Sequence, residues 1–568
     1  MKSLRLFTAI LLVILMVADS CKKFDLNTDD LDLTLNLDII KTNYEIRFTD
    51  AATGRTIGEN DEIIIRATIH GQDSLFVLDP SGDRYAEYTT LAGRLPLSLD
   101  PYLAKPTEED PVSFVVYAEA DGYFPTSKLI ETTTEGAHYE VIQLASLAAP
   151  PAGAVIKTVS NAGRSDNGIL RDSMTVATDG LEASIALSPG TILKDKHGAP
   201  LNGSLKVTLS VFSVLENASR EAFPGGFMGK SDSAGITSDS FFESAGFFNL
   251  EISDESGRSL DKVTNGRITA EIMVDPSIVN PRTGLPVQEG DELPVWSYNE
   301  IAGRWQYESV TRIKLSGTGL TAIAELPHLS WWTLGWPGYT CNSNYYLFTT
   351  PASSLLEIPV KYEVRFFYSR NPLWMYWGSL YFSGFPAPEQ MAYVSSNYLN
   401  NNQWFRLSHW PVARFIRMVF VNTDDACGSA EFSFWNTPET LNNQLCARAN
   451  PDAYAISKIL ITPQFLETRS RALINVEILC QETQRKTVPT QQIYVRYRQQ
   501  GSSCWRYEWI TSGVSIIWGI EAGDTYEGQA AYQGRWQPET PYPYTIGRGY
   551  REGTLTSLTF TVPMNCGK

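Results

Sequence analysis

Leu31 to Asp38 reads Leu-Asp-Leu-Thr-Leu-Asn-Leu-Asp, a strict apolar–polar alternation that suits only a strand with one face buried. Short segments of similar character recur at Tyr44 to Phe48, Ile63 to Ile69, Phe114 to Ala120 and Val141 to Leu144. Turn signals separate them: Thr53-Gly54, Pro80-Ser81-Gly82 and Asp121-Gly122. A chain built this way buries its apolar residues by stacking sheets, so an all-β fold is expected. The 568 residues exceed what one core serves, which points to several β-sandwich domains in tandem.

Composition narrows the function classes. Charged residues are 19% and apolar residues 43%, the range of packed globular protein. The net charge of −17 has the wrong sign for gripping phosphates, so nucleic acid is not expected as a partner. The charge is uneven: residues 341–568 carry 19 basic against 17 acidic groups, leaving −19 on the first 340. All 14 tryptophans lie at or after Trp296. An acidic half nearer the N-terminus and an aromatic, near-neutral half beyond it suggest a stalk bearing a distal binding region.

Met1-Lys2-Ser3-Leu4-Arg5 precedes an apolar run from Leu6 to Ala18, then Asp19-Ser20-Cys21. The run spans about 20 Å as a helix, short of a ~30 Å hydrocarbon core, so it reads as a secretory signal over residues 1–20. Ser20-Cys21 resembles the lipobox of bacterial lipoproteins, although Ala18 stands where leucine is usual. The resemblance implies acylation of Cys21 and attachment to the membrane through that lipid; residues 21–39 then read as tether and, from the alternation of Leu31 to Asp38, first strand. Lys22, Lys23 and the following aspartates resemble tethers of surface-displayed outer-membrane lipoproteins, which implies an outer-membrane location facing outward. Six further cysteines, Cys341, Cys427, Cys446, Cys480, Cys504 and Cys566, are compatible with three disulfides in an exported chain, with fifteen connectivities open.

Three further resemblances divide the remainder. Tyr117 to Ile130, reading YAEADGYFPTSKLI, resembles the strand pair of carboxypeptidase-regulatory-like domains, implying a non-catalytic immunoglobulin-like sandwich over 40–148. After the proline-rich LAAPPAG of 147–153, the segments Phe223-Pro224-Gly225-Gly226, LPVWSYNEIAGRW from Leu293 and LPHLSWW from Leu326 resemble ZU-type β-sandwiches, covering 154–338. Ile493 to Arg498, Trp505 and the run Ile520 to Glu527 resemble the central strands of a fibronectin type III domain over 451–568, with Tyr526 at the position of the corner tyrosine. Residues 339–450 form an aromatic-rich β domain without a recognised relative.

Catalytic chemistry finds little support. The five histidines show no HExxH or paired spacing, and GxSxG, P-loop and dinucleotide motifs are absent, so no cofactor or metal is expected. His328-Leu329-Ser330 resembles the self-cleavage site of some ZU-type domains, where a serine attacks the preceding carbonyl; a packed strand with a hydrogen-bonded histidine is the alternative. Asp79 and Asp83 lack the spacing of a calcium loop and read as solvated turns. The best candidate for binding is the run from Leu373 to Phe382, in which Trp374 and Tyr376 fall on one pleat face and Trp377 on the other, with Trp404 and Trp410 nearby in sequence. A sandwich strand needs one apolar face, so the second suits a sugar ring, a protein partner or a neighbouring module. The expectation is a non-catalytic surface binding or scaffold protein that meets an extracellular glycan or an outer-membrane protein complex. The alternatives are an accessory subunit of an outer-membrane transport or assembly complex, a cryptic glycoside hydrolase, or a self-cleaving domain.

Overall fold

The computed structural model describes residues 40–338, except 60–62, 181–182, 227, 284 and 318, and much of 340–564; beyond residue 337, side chains are described only within 477–546. Strands dominate throughout, and the α-helix Asn217–Glu221 has five residues. The chain is all-β, organised as facing and adjoining β-sheets. Leu31 to Asp38, Cys21 and residues 1–20 lie outside the described residues.

Strands between residues 42 and 144 make two four-stranded sheets. In the first, Thr42–Asp50 lies between Arg94–Leu99, antiparallel, and Gly136–Leu144, parallel. In the second, Val112–Ala120 lies between Ile65–His70 and Thr126–Thr132, both antiparallel. The period-two rule is visible in the core: Tyr44, Ile46 and Phe48 from one sheet meet Phe114, Val116 and Ala118 from the other. Tyr44 sets its ring edge-on to Phe114 at 5.2 Å.

Residues 154–338 build one extended sheet system of 14 strands. Its long members include Ile236–Asp254 with 19 residues and Arg304–Ser316 with 13, and the latter pairs with Glu292–Asn299 along its first part and with Gly319–Leu326 along its last. Register breaks between Ser244 and Gly246 and between Val295 and Trp296 mark bulges, which let a strand turn without losing its pairing. The core is strongly aromatic: Trp305, Trp331, Trp332 and Trp336 are buried with Phe212, Phe242 and Phe247. Much of the tryptophan excess that begins at Trp296 is therefore packing.

This core joins the preceding sandwich closely. Phe124 belongs to it, the Tyr298 hydroxyl donates to the Ser127 carbonyl at 2.8 Å, and the Trp331 indole N–H donates to the Pro125 carbonyl at 3.3 Å. Gly303, at φ +60, sits where a Cβ would meet Leu129 at 3.0 Å, so the turn approaches the sandwich only because it has no side chain.

Further on, Val360–Ser369 pairs with Gln390–Leu399 and with Phe415–Asn422, which also pairs with Glu431–Asn436. Near the C-terminus, Ile493–Gln499 is flanked by Arg506–Ile510 and Thr525–Tyr532, which in turn pairs with Arg535–Thr545. Arg471–Cys480 pairs antiparallel with Val514–Trp518 and parallel with Thr556–Met564. Cys480 and Cys504 each take part in a disulfide.

Candidate functional site

The site residues expected from sequence fall in different places. Trp374, Tyr376 and Trp377, like Cys21, lie outside the described residues. Trp404 opens the strand Trp404–Leu407 and Trp410 opens Trp410–Pro411, so their backbones are strand but their surroundings are not described. Trp404 pairs with Leu347, and Trp410 with Cys341.

His328 and Ser330 precede and adjoin the strand Trp331–Gly338. The Ser330 hydroxyl donates to the Tyr298 carbonyl at 2.6 Å. His328 Nδ1 donates to the Leu329 carbonyl at 3.2 Å, its Nε2 stands 3.3 Å from Glu308 Oε1, and the ring tilts against Trp332. Burial pulls the imidazole down, but two acceptors at its two nitrogens and the charges of Glu308 and Asp261 more than offset this and raise its pKa. Burial pushes Glu308 up, yet hydrogen bonds from His328 and Ser297 leave it below its ordinary value. Among the described residues, no hydrogen bond links His328 to the Ser330 hydroxyl. The serine's proton is directed to a strand carbonyl, and the His328–Glu308 pair tethers the segment to Arg304–Ser316.

A more developed site lies where the first sandwich meets the C-terminal sheet. The outward residues of Thr42–Asp50 and Arg94–Leu99 would be solvated in an isolated sandwich, yet Glu45 and Arg94 are both buried. Arg94 Nη1 donates to Glu59 Oε1 at 3.2 Å, and its Nε stands 3.4 Å from Glu45 Oε1 without hydrogen-bond alignment. The guanidinium carbon lies 3.6 Å from the ring centroid of Tyr507. Leu91 enters the same aromatic cluster with Tyr494, Trp505, Tyr507, Trp509 and Ala531. On the C-terminal sheet, Arg496 stacks between Trp505 and Trp536 at 4.3 and 4.5 Å, and Arg498 stacks on Trp505 while pairing with Glu527 at 2.9 Å. Strands from opposite ends of the chain thus share one desolvated patch of cations over aromatic rings.

Beside this junction opens a cleft of about 210 Å³. Its walls are Asp79, Pro80, Tyr85, Glu87, Tyr88, Leu91, Leu95 and Pro96 from the first sandwich, closed by Ala531 and Gly534 from the C-terminal sheet. Tyr85, 44% exposed, stands edge-on to the buried Tyr88 at 5.6 Å. Asp79 is only 5% exposed. Its Oδ1 accepts the backbone N–H groups of Ser81 and Asp83, both at 2.8 Å, which closes the Asp79-Pro80-Ser81-Gly82-Asp83 turn. Its Oδ2 is sealed from water and has no hydrogen-bond partner. Burial lifts the Asp79 carboxyl above its usual range, against the pull of the amides of Asp83 and Ser81, and the Asp83 charge adds to the rise. Among the described residues lining the cleft none is basic, and the adjacent Arg84 is held by Asp100 at 2.7 Å.

By sequence Asp79 reads as a solvated turn residue, whereas the structure closes the turn around a buried carboxyl, and Arg94 does not stand out as a site residue. The available signal was a charged group next to buried positions in Gly93-Arg94-Leu95-Pro96-Leu97. A surface strand carries such a group as readily, and only the covering sheet tells the two apart.

No family model matches the chain, and no curated protein does. Among solved structures, GBS52, the minor pilin of Streptococcus agalactiae, matches at 11% identity over 39% of this chain and 95% of its own, with a TM-score of 0.14. A calcium-stabilised adhesin of an Antarctic bacterium matches at 8% identity over 91% and 99%, with a TM-score of 0.09. The native conformation of Escherichia coli alpha-2-macroglobulin matches at 10% identity over 85% and 38%, also at 0.09. At such TM-scores the chains do not superpose as wholes, and these likenesses carry no functional assignment.

Proposed function

We propose that the chain is a non-catalytic surface protein, lipid-anchored at Cys21 in the outer membrane, that serves as a binding scaffold. The observation that carries the reading is the Arg94 junction: the first sandwich and the C-terminal sheet are held by a desolvated cation–aromatic contact, the mark of a fixed platform. The disulfides at Cys480 and Cys504 fit export to an oxidising space. The engagement of the Ser330 hydroxyl by the Tyr298 carbonyl weighs against self-cleavage. On this platform the aromatic segment bearing Trp374, Tyr376, Trp377, Trp404 and Trp410 is the surface for a glycan or a protein partner.

The test is a mild-detergent pull-down of the tagged full-length protein from its own membranes, followed by a glycan array with the purified chain. Glycan binding that is lost in folded Trp377→Ala and Trp404→Ala variants supports the reading. A stoichiometric barrel partner would make the protein a subunit of a membrane complex instead. Unchanged glycan binding in both variants would return those tryptophans to packing.

A further inference from the structure

The geometry points to the cleft between Asp79, Tyr85 and Pro96 as a binding site for an organic cation carrying N–H donors on a short apolar stem, such as a lysine side chain. The described residues that line the cleft include none of the tryptophans proposed above, and either reading can fail without the other.

Four observations converge on this ligand class. The first is an acceptor in want of a donor: Asp79 Oδ2 is buried with no partner, while Oδ1 is fully used by its own turn. A buried carboxylate oxygen without a donor is costly, and native structures resolve such cases with a ligand, an ion or a water. The second is charge. Asp79 and Glu87 line the cleft, Asp83 adjoins it, no lining residue is basic among those described, and the Arg84 guanidinium beside it is committed to Asp100. An anionic ligand is thereby disfavoured and a cation favoured. The third is the wall: Pro80, Pro96, Leu91 and Leu95 with the faces of Tyr85 and Tyr88 suit methylenes beside a charged head. The fourth is size. About 210 Å³ lies below the roughly 300–1,000 Å³ of pockets that enclose whole drug-sized ligands, so it suits one side chain or a small amine. A metal ion fits poorly, since no cluster of three or more carboxylate, histidine or cysteine groups that could hold one is found among the described residues.

The experiment titrates the full-length protein by calorimetry with n-pentylamine and n-pentanol, which match in size and differ in charge, and with Nα-acetyl-lysine methylamide, which carries the same amine on a larger amide-bearing unit. A lysine-containing peptide is run beside them to distinguish a free amine from a side chain on a polypeptide. The expected result is saturable binding of the amines and not of pentanol. Asp79→Asn, which keeps Oδ1 as the turn's acceptor, weakens amine binding by at least ~10-fold, the scale of one charge-assisted hydrogen bond. Tyr85→Ala, at an exposed position, also weakens it while leaving the circular dichroism and melting curve unchanged. A peptide that binds more tightly than the free amines assigns the cleft to a protein partner, and equal affinities assign it to small amines. Pentanol binding as tightly as pentylamine, absence of amine binding, or unchanged affinity in folded Tyr85→Ala and Asp79→Asn would overturn the assignment.

Discussion

Replacing Arg94 by methionine tests whether the two ends of the chain are held together by a buried charge. The guanidinium lies 3.4 Å from Glu45 and 3.2 Å from Glu59, with side-chain exposures of 4%, 3% and 15% respectively. At an effective dielectric of about 20, a unit pair at 3.4 Å attracts by roughly 5 kcal/mol before desolvation is subtracted. Methionine fills similar volume and keeps apolar contact with Tyr507, but removes the cation that faces the Glu45 and Glu59 carboxylates. Removing one partner of such a pair costs about 3–5 kcal/mol. The assay is urea denaturation followed by tryptophan fluorescence, in which Trp505, Trp509 and Trp536 report the junction. Arg94→Met should lower the midpoint by the equivalent of that cost. Arg94→Met combined with Glu45→Gln should recover about 1–3 kcal/mol, because contacting residues couple on that scale. A loss below ~1 kcal/mol in the single variant, or strictly additive effects in the double, would refute a desolvated charge pair as the clamp.

Other expectations follow from the same geometry. Proton NMR of His328 should show titration above the ordinary imidazole value, and Glu308→Gln should lower the midpoint. The sign is set by the raised pKa: the His328 contribution is fully present below the unfolded value and is lost as pH rises through the folded one. Glu308, with its pKa depressed, contributes above its own unfolded value and loses that contribution as pH falls through the folded one. Burial and the charge of Glu251 push Glu300 up to about 7. The folded state therefore holds the extra proton between the unfolded value and about 7, so stability declines as pH rises through that window. Glu300→Gln should raise the melting temperature at pH ~8 and change it little at pH ~4, and equal effects at both would count against the shift. On a denaturing gel the wild type and Ser330→Ala should each run as one full-length band; a fragment pair in the wild type alone would restore self-cleavage at Leu329-Ser330.

Local pattern carried much of the fold. The segments Tyr44 to Phe48 and Phe114 to Ala120 read as half-buried strands because side chains alternate every two residues, and both are strands whose inward residues meet in one core. The all-β class follows from such segments, since a two-residue period and closely spaced turn signals leave no room for an amphipathic helix. The tryptophans after residue 296 were less legible. Trp331 and Trp332 lie on opposite faces of one strand and both are buried, because the sheet system covers them from both sides and the preceding sandwich accepts the Trp331 indole. Composition reports how many aromatic rings there are, not which layer each enters.

The junction and the cleft belong to the tertiary structure alone. Glu45 and Arg94 sit at the outward positions of their strands, where charge is the ordinary choice, and the sheet that buries them comes from the far end of the chain. Asp79 is a normal turn residue by sequence; only in the folded chain is its second oxygen shut off from water, beside a cleft that Tyr88, Leu95, Ala531 and Gly534 help to line. Burial, and with it the energetic weight of a charge, depends on contacts between segments far apart in sequence. Strand periodicity is local and readable in a few residues, whereas desolvation is not a property of any segment until the sheets meet.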